Sequence, residues 1–415
     1  MDQTARHTTS ESVIEDWSLT DISKWLIVDG WQLTDTSTLV DAVAERLAAA
    51  GVPLHRMGVF FIALHPELLG DSYIWRGPGQ GVDRQGVPHG FEKTDDFRLS
   101  PLIEIFNGSS DVVRRRIDEV PEDHPYPFYR MVRKQGVTDY LCLPIRFSDG
   151  QRHAISFSTK ADDGFSSEQL HEMQSMVTVL ERILETHTMR QIAHVLLRTY
   201  VGTQAGTRIL DGQITRGSSE SIRAVIWLSD LRGFTPMSDL LPREVLIDSL
   251  NTYFDCVVQP IQSSGGEVLK FIGDAVLGIW RIDDYREAPN IAHRALAAAG
   301  DALLRLEQAN ATFASGARPQ LKFGAALHAG DVMYGNIGTS SRLDFTVIGP
   351  AVNLVSRVEQ MTKVLGHPIL ASSTFANLCP TPLVSLGYHQ LAGISVPQEI
   401  FRVSFPTSRA GTNRG

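Results

Sequence analysis

A few charged and amide side chains in the second half of the chain stand where chemistry would need them. Asp230 ends the apolar run "IRAVIWLSD" and is followed by "LRGFT". A carboxylate there lies where α/β sheets present catalytic groups, with a loop behind it whose N–H groups can face phosphate. Asp274 follows Gly273 in "EVLKFIGDAVLGIW", which reads as two apolar strands joined by Gly-Asp. The glycine removes side-chain bulk where a ligand would approach. Two carboxylates from adjacent strands can hold one or two Mg²⁺ ions, which take oxygen ligands and keep phosphate in their shell. Lys270 precedes Asp274 by four residues, so the two either pair at the turn or have separate tasks. Four extended residues span roughly 13 Å and a turn shortens this, so spacing does not decide. After "VIGP", Asn353 and Arg357 are four apart and share one helix face, and Pro350 suits the first turn. An amide beside a guanidinium can orient a sugar and neutralise charge growing on a phosphoryl group. Taken singly, each of these residues is more often a turn, a cap or part of a solvated face; the ensemble carries the weight.

The elements that must position them alternate between strand and helix over 222–405. "REVLIDSLNTYFDCVVQPI" is a helix with Leu246, Leu250, Tyr253, Val257 and Ile261 on one face, and "SSGG" stops it. The Lys270–Asp274 hairpin follows, then the helix "IAHRALAAAGDALLRLEQA", strands "LKFGAALHAG" and "DFTVIG", the helix "AVNLVSRVEQM" and two final strands. Such alternation implies a sheet with helices on it. Upstream, "MGVFFIAL" and "YLCLPIRF" read as strands, and "TSTLVDAVAERLAAAG" as an amphipathic helix ended by Gly51. A long helix starts at Ser166, which forms a capping box with Gln169. Its stripe of Leu170, Met173, Val177, Leu180 and Leu184 fits either packing on its own domain or a parallel stalk between two protomers. Gly and Ser in "GTQAGTRILDGQITRGSSES" mark a linker.

"SDLRGFT", "KFIGD", "HAGDVMYGNIG" and "FTVIGPAVNLVSR", in this order and spacing, resemble the catalytic domain of class III nucleotide cyclases. The resemblance covers residues 222–405. It implies an α+β fold with a ferredoxin-like βααββαβ core, and an adenylate cyclase that converts ATP to 3′,5′-cyclic AMP and pyrophosphate. Residue by residue, Asp230 and Asp274 match the two metal aspartates, with the carbonyl of Leu231 as a further ligand. Lys270 and Thr346 match the purine-reading positions, in the adenylate-specific combination. Asn353 and Arg357 match the pair that orients the ribose and stabilises the transition state. The N–H groups of Arg232, Gly233, Phe234 and Thr235 would hold the terminal phosphates. Two Mg²⁺ ions, with Mn²⁺ accepted, and a homodimer with shared active sites are implied. Ala392 stands where the family often has a basic residue, which Lys322 or Arg342 could replace; it favours the alternative of a catalytically silent, nucleotide-binding signalling module.

Residues 36–186, above all "TDYLCLPIRFSDGQRHAISFST", resemble a GAF-type sensor domain, whose small-molecule or ion ligand is not readable. The expected division is a helical lead at 1–35, the sensor at 36–186, a helical stalk and linker at 187–221, the cyclase domain at 222–405 and a tail at 406–415. His65, Trp75 and His89 are pocket candidates, each also an ordinary core or surface residue. "GPGQG" lacks the strand-to-helix setting of a dinucleotide fingerprint and reads as a loop. A net charge of −9 argues against nucleic acid or an anionic membrane as partner. No apolar run reaches the ~18 residues of a membrane span, and the polar start has no signal-peptide core. Cys142, Cys256 and Cys379 make no disulfide framework, and a cytoplasmic location is expected.

Overall fold

The computed structural model describes residues 18–62, 65–312 and 318–403. The lead before residue 18 and the tail from 406 lie outside the described residues. The chain divides into two compact units, Met1–Leu196 and Leu197–Gly415.

In the first unit, helices α1 (Leu19–Val28) and α2 (Thr36–Ala49) precede strands β1 (Arg56–Ile62), β2 (Leu68–Trp75) and β3 (Val82–Pro88). Short helices α3 (Asp95–Arg98) and α4 (Leu102–Phe106), strand β4 (Val113–Arg116) and helix α5 (Pro127–Lys134) follow. Strands β5 (Asp139–Arg146) and β6 (Arg152–Thr159) complete an antiparallel sheet of order β3-β2-β1-β6-β5-β4. Alternation along β5 gives the sheet two buried faces. Leu141, Leu143 and Ile145 join α1, α2 and the long helix α6 (Ser167–Val201) in one core; Tyr140 and Cys142 join α4 and α5 in another.

The capping box is present: Ser166 N–H donates to Gln169 Oε1 at 3.0 Å, and Gln169 N–H to Ser166 Oγ at 3.1 Å. Met173, Val177, Leu180 and Leu184 are buried in the first unit's own core. Over these residues the stripe therefore serves intradomain packing, and a stalk between protomers must use later turns. Asp139, fully buried, accepts from Arg114 Nη2 at 2.8 Å and from Phe165 N–H at 3.1 Å, which fixes the chain just before the cap.

The second unit opens with α7 (Thr203–Leu210), where a linker was expected. Ala205 is buried in that unit's core and its N–H donates to Glu267 Oε1, so tertiary packing orders a Gly-containing segment. Then come β7 (Ser219–Leu231), α8 (Phe234–Leu240), α9 (Arg243–Ser263), β8 (Glu267–Ile272), β9 (Ala275–Arg281), α10 (Ala288–Thr312) and β10 (Phe323–Gly338). This is the βααββαβ succession. Strand β11 (Leu343–Ile348), α11 (Pro350–Leu365), β12 (Ile369–Ser372), α12 (Ser373–Leu378), β13 (Val384–His389) and β14 (Gln398–Arg402) finish the unit. The sheet order is β13-β14-β12-β10-β7-β9-β8, with β11 paired to β10. Along β7, Val225 and Trp227 enter a core with α9 and α10, while Ala224 and Ile226 enter one with α11. Among the described residues no helix is long and apolar enough to cross a membrane.

Because Asp139 is the more buried partner, Arg114→Ala should destabilise the chain at least as much as Asp139→Ala, by about 3–5 kcal/mol. Urea unfolding checks this; an Arg114→Ala change costing less than 1 kcal/mol () would place the pair among ordinary surface bridges.

Candidate active site

Sheet register brings Asp230 and Asp274 together. Asp230 lies across from Ala275 on the neighbouring strand β9, and Ile272 pairs with Ala275 to leave Gly273 and Asp274 as the two-residue hairpin turn. Gly273 has φ 64°, and a Cβ there would meet only open space, so the glycine answers a backbone need. Burial first, and then the carboxylate of Asp230, push the Asp274 carboxyl up to about 6. Lys363 Nζ lies 3.3 Å from Asp230 Oδ2. Leu231 closes β7 in register with Phe323.

Among the described residues no group of three or more His, Cys, Asp or Glu could hold a metal. The side-chain donors here are two carboxylates, hard oxygen ligands whose mutual repulsion a divalent cation would relieve. That fits Mg²⁺ or Mn²⁺ completed by backbone carbonyl, water and phosphate oxygens, and does not fit a soft metal.

The loop after β7 is narrower as an anion cradle than its sequence implies. Arg232 N–H donates to the Lys322 carbonyl at 2.7 Å, so it is already engaged. Gly233 takes φ 72° and caps α8, leaving the N–H groups of Gly233, Phe234 and Thr235 at a helix start that offers no intrahelical acceptor. The Arg232 side chain turns to α11, with Nη1 3.5 Å from Glu359 Oε1 and Nη2 donating to Thr362 Oγ1. Burial raises the Glu359 pKa, and Arg232 opposes that rise.

Lys270 is not paired with Asp274. A bulge between Val268 and Lys270 shifts the hairpin register, and Lys270 Nζ donates to Asp344 Oδ2 at 3.0 Å. Thr346 is buried, and among the described residues its hydroxyl has no hydrogen-bond partner. Asp344 escaped the sequence reading, although a strand period of two puts it on the same face as Thr346. Lys363 and Glu359 also escaped it, because neither shares the face that carries Asn353 and Arg357. On α11 itself Asn353 is exposed, and Arg357 Nη1 donates to Gln360 Oε1 at 3.3 Å. Among the described residues neither is hydrogen-bonded to Asp230, Asp274, Lys270 or Thr346. Ala392 is exposed in a turn, whereas Lys322 lines a 600 Å³ cavity with Arg232 and Lys363. Trp75 is fully buried and its indole N–H donates to Glu45, while the His65 and His89 rings hold local backbone bonds, so none of these three candidates lines a described cavity.

Residues 218–377 match the family model "Adenylate and Guanylate cyclase catalytic domain". An adenylate cyclase of Anabaena cylindrica is 29% identical over 235 residues, 55% of this chain and 45% of that protein. Adenylate cyclase 1 of Rhizobium meliloti is 29% identical over 193 residues, 44% of this chain and 28% of that protein. The crystal structure of the guanylyl cyclase Cya2 is 29% identical, covers 46% of this chain and 97% of its own, and superposes with a TM-score of 0.40. The chain thus spans less than half the length of these two curated relatives. The family match, with the adenylate cyclase relatives beside it, makes residues 218–377 similar to adenylate and guanylate cyclase catalytic domains.

Proposed function

We propose that the chain is an adenylate cyclase, forming 3′,5′-cyclic AMP and pyrophosphate from ATP at sites shared between two copies, under control of its N-terminal unit. The observation that carries this reading is the Asp230–Asp274 carboxylate pair, with Lys270 turned away from it to Asp344. Asp230 and Asp274, with the carbonyl of Leu231, would hold two Mg²⁺ ions. Bound there, such ions acidify a hydroxyl and stabilise charge on phosphate oxygens. Lys270, steadied by Asp344, donates to adenine N1, and the unpartnered Thr346 hydroxyl accepts from the exocyclic amine. Guanine would present an N1–H to the ammonium, which favours ATP over GTP. Asn353 orients the ribose so that its 3′-oxygen faces the α-phosphorus. Arg357 meets charge that peaks in the transition state, and so raises turnover rather than affinity alone. The N–H groups of Gly233, Phe234 and Thr235 take the β and γ phosphates, with Lys322 beside them in place of the basic residue absent at Ala392.

The pairing of two copies is supported by the apolar surface around these residues. Phe271 and Ile272 on β8, Ile348 on β11 and Met333, its partner on β10, are all at least 40% exposed, on or beside the strands that carry Lys270 and Thr346. A six-stranded antiparallel sheet with helices on both faces supports the GAF-like reading of the first unit.

Cyclic AMP formation from ATP, with GTP as control, in Mg²⁺ or Mn²⁺ tests the activity; no product in either metal from the intact chain sinks it. Asp274→Asn should lower turnover on the order of 10²–10³-fold. The same change should leave the metal-free chain more stable than wild type at pH 7, with the gap closing as pH falls towards 4. The sign follows from a folded-state pKa raised above the unfolded 3.8 to about 6: the folded chain binds the extra proton, and the penalty of ionising Asp274 vanishes once both states are protonated. A gap that is absent at pH 7, or that widens on acidification, contradicts the shared-carboxylate geometry. For the shared site, Lys270→Ala and Asp274→Ala chains, each inactive alone, should recover partial activity when mixed; mixed dimers that form but stay inactive return both residues to one site.

A further inference from the structure

The first unit contains a cavity of 420 Å³, within the range of small-ligand sites, roofed by the segment from α3 to α5 and floored by the sheet. Its floor carries Arg56 and Phe60 from β1 and Tyr140 from β5; Phe97 and Phe128 close it from above. Arg56 and Phe60 sit on the face of β1 opposite Met57, Val59 and Phe61, which belong to the other core.

An arginine in such a place should have an acid. Among the described residues Arg56 has no ion pair or side-chain hydrogen bond, and the acid nearest to it electrostatically is the phenol of Tyr140. Across the sheet, one step beyond the Met57–Trp75 pair, stands Arg76, a like charge already engaged with Asp83 at 3.7 Å. Burial foremost, with Arg76 adding to it, holds the Arg56 pKa below the ordinary guanidinium value. The one carboxylate that lines the cavity, Asp96, is exposed on α3 and makes no ion pair with Arg56.

A half-buried guanidinium that faces a largely apolar cavity without a counter-ion gains from an anion that pairs with it there. The remaining wall is mainly aromatic and aliphatic, so an inorganic anion would leave most of the cavity unfilled. One uncompensated positive charge matches one negative charge, and Asp96 at the rim disfavours a second. We propose that this cavity binds a small organic monoanion, a carboxylate on an aromatic or branched apolar body, with the carboxylate forked by Arg56 and the body among Phe60, Phe97 and Phe128. Guanidinium and carboxylate match in planar, bidentate geometry, which supplies both strength and orientation.

The site stands on the cavity alone; only its effect on catalysis rests on the regulatory reading above. The full chain titrated with 3-phenylpropionate, followed by calorimetry and thermal melting, tests it beside the neutral isostere 3-phenylpropionamide. The acid should bind with a Kd near or below ~1 mM and raise the melting temperature, and the amide should bind at least about tenfold more weakly. Arg56→Gln should erase that preference while leaving the ligand-free melting temperature unchanged or higher, and Arg56→Lys should keep part of it. Absence of binding by the acid up to about 10 mM (), equal binding of acid and amide by the wild-type chain, or an unchanged preference in Arg56→Gln overturns the assignment. The comparison of acid with amide needs no variant to fold. Binding that leaves cyclic AMP formation unchanged sinks the regulatory reading and leaves the site intact.

Discussion

Two like charges held side by side are the constraint around which the second unit is arranged. Nothing local favours Asp230 beside Asp274; the sheet imposes it. Strand β7 runs for 13 residues and from Ile222 onward enters the cores on both faces of the sheet, so its end cannot drift. Because β9 pairs with β7 up to Ala275, the turn that begins β9 is fixed at the same end. Burial first, with the Asp230 carboxylate adding to it, raises the Asp274 pKa, and Lys363 partly offsets the rise from the side of Asp230. Under the proposed function, this pair is where a divalent cation would bind, relieving the repulsion between the two carboxylates.

Helix α11 is the second positioning device, and it serves two ends. Its C-terminal half carries Glu359, Thr362 and Lys363, which tie down Arg232 and face Asp230. Its N-terminal half carries Asn353 and Arg357, which make no bond to the carboxylate pair. Arg357 and Lys363 are six residues apart, roughly 9 Å along a helix axis. One rigid rod therefore keeps Asn353 and Arg357 at a set distance from the groups that brace Arg232 and Asp230. Under the proposed division of labour that separation is required, because the two groups would serve different sites.

The parts legible in sequence were those fixed by local pattern. Strand alternation, the Ser166–Gln169 capping box, the Gly-Asp turn and the four-residue spacing of Asn353 and Arg357 each depend on a few neighbouring residues, and each has its expected form. What escaped depends on contacts distant in the chain. Asp344 meets Lys270 across 74 residues, and Lys363 meets Asp230 across 133. Arg232 N–H is taken by a carbonyl on the approach to β10, which no reading of "LRGFT" alone could reveal. The segment at 203–210 reads as linker from its glycines, yet becomes helix because Ala205 has a core to enter. In each case tertiary packing overrides or completes a local preference.

The first unit shows the same logic in the way it holds its long helix. Helix α6 begins at a cap adjoining Phe165, whose N–H ends on the buried Asp139, and its first five turns fill the unit's core. Further along, His187 meets Thr36 at the start of α2, and Gln191 donates to Asp71, which also pairs with Arg84 on β3. The helix is thus gripped by the sheet at several levels rather than hinged at its start. Any change in the spacing of β1, β2 and β5, the strands that floor the Arg56 cavity, must be felt by α6 on their opposite face, because one close-packed sheet separates the two. A ligand that neutralises Arg56 acts on those strands from one side. Helix α6 packs on them from the other.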